Sequence, residues 1–314
     1  MFSLTKQILF KSSTVKNVVG NLMYNASSSV VRSYSSVNNN NNNSNNSDAS
    51  PLRRMNNKVC FVTGGAAGIG LGIVERFLKE GGKVAVADLN GQLASDVATK
   101  LDKQYPGSVI AIKADITQEE DVRQGIEKTV AKFGGLDVVV SNAGFQHIEA
   151  LEDLPLEMWK KMLAVHLDGS FLCAKHAIRQ FKKDTVRGGS IIFIGSVHSK
   201  VASDLKSPYV TAKHGLEGLN RSVAREAAKY NVRSNLLCPG FVRTALVERQ
   251  IPQIAERMGI SEDQVIKSVM LKDTLDGEFT SFEDVNEVAV TFVHMPSKAL
   301  TGQSVIVSHG WVLE

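Results

Sequence analysis

The sequence predicts an α/β fold, a single domain built on a doubly wound parallel sheet. Three observations carry that expectation. Seven short apolar runs recur along the chain, longer helical stretches separate them, and the first run ends in glycines. Short strands with helices between them imply crossover connections and parallel neighbours. The runs are residues 58–62, 83–87, 109–112, 137–140, 190–194, 232–237 and 304–307. Each is four to six residues long and largely apolar, as a buried strand should be. Helices are expected over residues 69–80, 118–133, 156–181 and 209–230. The pattern contains no internal repeat and no second domain.

Ahead of the first strand the composition changes. Residues 1–36 are basic, rich in hydroxyl side chains and free of acid, the composition of a mitochondrial targeting peptide. The longest early apolar run is Ile8-Leu9-Phe10. A secretory signal would need an unbroken core of about 7–15 residues. A plain disordered tail is the alternative. Asn38 to Asn43, with Asn45 and Asn46, offer nothing apolar to bury, so residues 37–56 read as a solvated linker. The folded domain is then expected over residues 57–314, and the mitochondrial matrix is the expected location.

Charge and composition exclude several function classes. Of the 36 basic residues, Lys6, Lys11, Lys16 and Arg32 lie in residues 1–47, which hold no acid. The remainder balances 32 bases against 32 acids. A neutral body leaves no electrostatic footprint for nucleic acid. No apolar run approaches the ~20 residues that span a bilayer, so no membrane partner is expected. Cys60, Cys173 and Cys238 are an odd count at wide spacing, which fits buried thiols better than a disulfide framework. No metal site is expected.

The first run leads into Thr63-Gly64-Gly65-Ala66-Ala67-Gly68-Ile69-Gly70. Small residues let the backbone approach a pyrophosphate, and the following helix N-terminus attracts its charge. Thr63, Gly64, Gly68, Ile69 and Gly70 are therefore candidate cofactor contacts in a Rossmann-type arrangement. A glycine turn alone is weak evidence, but this one sits between a strand and a helix. Asp88 ends the second run, 18 residues after Gly70. A carboxylate there accepts hydrogen bonds from the adenosine ribose and repels a 2′-phosphate, which favours NAD over NADP. Asp115, after the third run, is either an adenine contact or a helix cap. Asn142, in Ser141-Asn142-Ala143-Gly144, closes the fourth run beside the expected cofactor.

Tyr209 and Lys213 are four residues apart on one helix, so they share a face. A tyrosine ionises near pH ~10, and a neighbouring ammonium should lower that value. Ser196 ends the fifth run, 13 residues before Tyr209, where its hydroxyl can hold a substrate oxygen while Tyr209 passes the proton.

Taken together, Thr63-Gly64 to Gly70, Asn142-Ala143-Gly144 and the set Ser196, Tyr209 and Lys213 resemble the short-chain dehydrogenase/reductase family. The resemblance covers about residues 57–314. It implies that Lys213 also grips the nicotinamide ribose and that Pro239-Gly240 and Thr244 seat the nicotinamide. One position departs from the family pattern. His166, in Val165-His166-Leu167-Asp168-Gly169, stands where the family usually has an asparagine that holds a relay water. Histidine can donate and accept, so His166 is either a substitute in the relay or a packed helix residue.

Within the family, the chain resembles the members that act on 3-hydroxybutyrate. The resemblance lies in Phe145-Gln146-His147, Ser196-Val197-His198-Ser199, Lys206-Ser207-Pro208-Tyr209, Cys238-Pro239-Gly240-Phe241 and Ser308-His309-Gly310-Trp311, and in the stretch reaching Gln250. It implies a small carboxylate substrate held by Gln146, His198, Lys206 and Gln250, R stereochemistry and a homotetramer. A lysine with amide donors is a reasonable cradle for a carboxylate. A 3-oxoacyl reductase, a polyol dehydrogenase and a non-catalytic NAD-binding regulator on the same scaffold are the alternatives.

Overall fold

In the computed structural model, residues 53–313 are described. The expected targeting peptide lies outside the described residues, as does the linker as far as residue 52. Seven strands form one parallel sheet: β1 (Val59–Thr63), β2 (Lys83–Asp88), β3 (Val109–Lys113), β4 (Val138–Ser141), β5 (Gly189–Ile194), β6 (Val232–Pro239) and β7 (Ser304–Val307). Their order is β3-β2-β1-β4-β5-β6-β7, and every neighbouring pair is parallel. The order reverses between β1 and β4, and in such sheets a binding crevice opens outside the carboxyl ends at that point.

The helices are α1 (Gly68–Lys79), α2 (Gly91–Asp102), α3 (Glu119–Phe133), α4 (Leu156–Leu163), α5 (Gly169–Phe181), α6 (Ser207–Ala227), α7 (Ala245–Met258), a short α8 (Glu262–Val265) and α9 (Phe282–His294). Alternation along the strands sorts the core into two layers. Cys60 and Val62 pack with Ile73 and Phe77 of α1 and Phe292 of α9. Phe61, between them, packs with Ile126 of α3, Phe181 of α5 and Leu216 of α6. Burial on both faces is why the strands read as unbroken apolar runs. The three cysteines are buried and free.

Two expectations need correction. The helix expected over residues 156–181 is α4 and α5 joined by a π-helical turn, Ala164–Asp168. His166 sits in this wider turn, a feature that recurs at functional sites. The folded part also begins before residue 57. Met55 is fully buried, its N–H donates to Glu80 O at 3.1 Å, and the Arg54 guanidinium bridges Glu80 and Glu287. One apolar anchor is too short to show as a periodic signal, so this start was not visible in the pattern.

Candidate active site

The turn between β1 and α1 depends on glycine for space. Gly64 has φ 60°, and a Cβ there would stand 2.8 Å from Ala143 Cα. A Cβ on Gly70 would stand 2.1 Å from Gly64 O. Thr63 and Asn142 pin this turn to the end of β4. The Thr63 hydroxyl donates to Val140 O (3.3 Å) and accepts the N–H groups of Asn142 (2.9 Å) and Ala143 (3.2 Å). Asn142 Nδ2 donates to Thr63 O (2.9 Å) and Gly64 O (3.2 Å). Thr63 is fully buried, and its hydroxyl braces the turn against the end of β4. No side chain caps the first amides of α1, and its first turn carries no acid. That end can receive an anion.

Asp88 lies at the carboxyl end of β2 beside this turn. Its carboxylate accepts the N–H of Ala66 (3.2 Å) and of Asn90 (3.0 Å). Asp115 follows β3, and its carboxylate accepts from the N–H (2.9 Å) and hydroxyl (2.7 Å) of Thr117. These bonds close a local turn ahead of α3, whose N-cap is Gln118 with no side-chain capping bond, so Asp115 does not cap that helix. The uncapped turn and the partly exposed Asp88 fit a dinucleotide, with pyrophosphate at α1 and ribose at Asp88.

The reaction centre forms where β5 ends against α6. Ser196 caps the short 3₁₀ turn Val197–Ser199. Its Oγ accepts the N–H of His198 at 3.2 Å, while its own N–H donates to Ser199 Oγ at 3.3 Å. Ser196 and Tyr209 line the same cleft. Lys213 Nζ stands 5.4 Å from the Tyr209 ring centroid and donates to Ile194 O at 2.6 Å. Burial pushes the Tyr209 phenol up to about 12, and the neighbouring Ser196 hydroxyl offsets this only in part. Burial likewise pushes Lys213 down to about 8. The lowering of the phenol expected from the lysine is not seen, and desolvation dominates. At neutral pH Tyr209 holds its proton and is set as an acid.

His166 is 3% exposed, with its ring edge-on to Tyr209 at 5.3 Å. Its Nε2 is 2.7 Å from Phe145 O. Its Nδ1 is buried with no partner. The ring lies over Gly144, where a Cβ would come within 2.4 Å of His166 Cε1. This need for glycine in Asn142-Ala143-Gly144 was not foreseen from the sequence.

Gln146, His198, Lys206 and Gln250, drawn from four separate segments, line one cleft with Ser196 and Tyr209. Ile69 and Thr244 line it too, and the Thr244 hydroxyl caps α7 by accepting the N–H of Val247 at 3.3 Å. Lys206 is 6% exposed, and its ammonium has no carboxylate partner among the described residues. Its Nζ lies 5.2 Å over the Phe241 ring, and burial pushes it down to about 8. His198 Nδ1 is 3.3 Å from Val201 O, which leaves Nε2 as an acceptor. Burial, then Lys206, push this imidazole down to about 4. Gln146 Oε1 accepts the N–H of His147 at 3.2 Å, and Gln250 is buried on α7. Trp311, expected from the sequence to pack near the cofactor or a subunit contact without a chemical role, stacks on Phe241 at 5.3 Å and completes the wall. A larger cleft, between α1, α2 and α9, contains none of these residues.

Among the described residues no group of side chains suits a metal ion, and no helix is long and apolar enough to cross a membrane. The short chain dehydrogenase family matches residues 58–255. A D-beta-hydroxybutyrate dehydrogenase of Rhizobium meliloti is 39% identical over 82% of this chain and 99% of its own length. A protein of the same description from Cupriavidus necator is 33% identical over 83% of this chain and 100% of its own. The crystal structure of sorbitol-6-phosphate 2-dehydrogenase from Erwinia amylovora superposes with a TM-score of 0.78 at 29% identity, covering 82% of this chain and all of that one. With the cofactor turn, the Ser196, Tyr209 and Lys213 centre and these similarities in view, the chain belongs to the short-chain dehydrogenase family.

Proposed function

We propose that this oxidoreductase interconverts (R)-3-hydroxybutyrate and acetoacetate with NAD. The observation that carries the substrate assignment is Lys206, a buried ammonium without a counter-charge in the cleft that holds Ser196 and Tyr209. A buried cation is costly unless an anion joins it. A small hydroxy acid brings that anion and places its hydroxyl carbon toward the reaction centre. The two relatives described as D-beta-hydroxybutyrate dehydrogenases support the same reading, and the D configuration is the R one.

A nicotinamide dinucleotide, when bound, supplies the hydride acceptor or donor. The amide end of α1 would hold its pyrophosphate, Asp88 the adenosine ribose and Lys213 the nicotinamide ribose. The protein's own groups do the rest. Lys206 and Gln250 orient the carboxylate. Ser196, whose Oγ already accepts from His198 N–H, keeps its proton for the substrate oxygen. In reduction Tyr209 donates its proton to the developing alkoxide. In oxidation the acceptor is the phenolate form of Tyr209, stabilised by the Lys213 ammonium, and it takes up the hydroxyl proton.

A screen for reduced-cofactor formation on hydroxy acids, thioesters and polyols tests the activity. The Lys206→Ala variant tests the assignment. Losing a charge-assisted hydrogen bond costs roughly 1.5–3 kcal/mol, or about ten- to a hundredfold in kcat/KM for the acid. The methyl ester should be a poor substrate for the unmodified enzyme and lose far less on mutation. Equal losses for acid and ester would make the lysine structural and remove the assignment.

A further inference from the structure

We infer that His309 is a positioning residue, a clasp that holds the C-terminal segment so that Trp311 walls the substrate cleft. This rests on reading the cleft as the substrate site. The backbone raises the question first. His309 has φ 53° and Gly310 has φ 78°. Left-handed backbone favours glycine, and a side chain there is strained unless its surroundings over-determine it. The chain has an imidazole at the first of these two positions and glycine only at the second.

The contacts of the imidazole account for the strain. His309 Nδ1 is 2.6 Å from Asp276 Oδ2, and Nε2 is 3.8 Å from Asp284 Oδ2. One acid lies in the loop before α9 and the other in the first turn of α9. Both acids are placed independently of the histidine. Asp276 accepts the N–H of Glu278 at 3.1 Å, and Asp284 belongs to the capping box of Ser281. The backbone joins the same clasp, since Leu275 N–H donates to His309 O at 2.8 Å.

What the clasp holds is the wall of the cleft. Trp311 N–H donates to Ser308 O at 3.1 Å, a tight turn with His309 at its second position. The turn delivers the indole onto Phe241, stacked at 12°, and edge-on to His198 at 5.6 Å. The other end of the loop ties the Phe241 segment on which the indole stacks, because Thr280 N–H donates to Phe241 O at 2.9 Å and the Thr280 hydroxyl to Val307 O at 3.1 Å. His309 touches neither the cleft nor the reacting groups, so its effect passes through Trp311.

Glycine makes a sharp test, because it fits the backbone better than histidine and removes only the clasp. The chain has two tryptophans, so Trp159→Phe leaves Trp311 as the sole reporter. In that background His309→Gly should raise KM for the hydroxy acid about five- to tenfold, with kcat and the cofactor KM within about twofold. Trp311 emission should shift to the red, and acrylamide should quench it more. Asp276→Ala should reproduce both changes. His309→Asn, which tolerates the left-handed backbone and still donates to Asp276, should restore both. An unchanged KM in His309→Gly, with or without a change in quenching, overturns the inference. Emission and quenching need no substrate, so they still report on the clasp if the assignment of 3-hydroxybutyrate fails. In that event unchanged quenching overturns the clasp, and the KM arm is read on whichever substrate the screen identifies.

Discussion

The His166 imidazole is held down to about 3, first by burial and then by the Lys213 ammonium. At neutral pH it has no second proton to give, so any part in proton transfer is played as a neutral ring. Its Nδ1 is buried without a partner, which costs roughly 1–3 kcal/mol. Packing alone would be served better by leucine, so the orphan nitrogen argues for an acceptor in the proton path behind Lys213. His166→Asn should keep most of the activity, whereas His166→Leu should lower kcat at neutral pH by at least about tenfold. The pH profile gives a second reading. Lys206 and Lys213 are both pushed down to about 8, so both lose charge as pH rises through that value. For the reduction of acetoacetate, kcat/KM should therefore be level below about 8 and fall above it. An uncharged ester removes the Lys206 contribution and leaves that of Lys213. A fully active His166→Leu enzyme with an unaltered profile would take His166 out of the proton path.

The turn from β1 to α1 and the end of β2 act together at the next scale up. Asp88 is followed by Leu89 and Asn90, so the two residues after it offer no cation to meet a 2′-phosphate. A like-charge contact at that point should be worth roughly 1–4 kcal/mol, about fivefold or more in favour of NAD. Because the carboxylate also accepts two backbone N–H groups, Asp88→Asn is a cleaner probe than alanine. It should narrow the ratio of kcat/KM for NAD over NADP and leave thermal stability nearly unchanged. Equal use of both cofactors by the unmodified enzyme would end the argument. These elements were legible in the sequence because their constraints are local. Strands buried on both faces read as apolar runs, and a glycine turn must have glycine. Tyr209 and Lys213 were legible because a helical spacing of four puts them on one face. The π-turn around His166 was not, since its extra residue leaves no periodic mark. Nor was Thr63 as a brace, because its three hydrogen bonds are to β4 and the residues that follow it, about 80 positions away. Gln250 and Lys206 came from the family resemblance, and Trp311 was placed by a C-terminal turn whose partners lie in another loop.

At the scale of the whole molecule, two surfaces among the described residues suit contact with another copy of the chain. The first is the outer edge of β7, a Ser-Val-Ile-Val strand bonded on one side to β6. An apolar edge strand left open pairs with other chains unless something covers it. The second is the face of α4 and α5, where Leu156 is 59% and Phe171 48% exposed, with only Lys175 leaning over the phenylalanine. Lone exposed apolar residues are ordinary, but these two lie on consecutive helices packed beside α6, which carries Tyr209 and Lys213. A face that meets its own copy makes a two-fold dimer, and two different such faces in one chain make a tetramer. We therefore expect a homotetramer, as the family resemblance implies. Phe171→Glu places a charge at the centre of the second face and should leave dimers joined through the first. Sedimentation equilibrium reads both outcomes. The unmodified chain should sediment as a tetramer and the variant as a dimer, with the activity of the dimer reporting whether α6 needs that contact to hold Tyr209 in place. A monomer in solution would show that neither face is an interface.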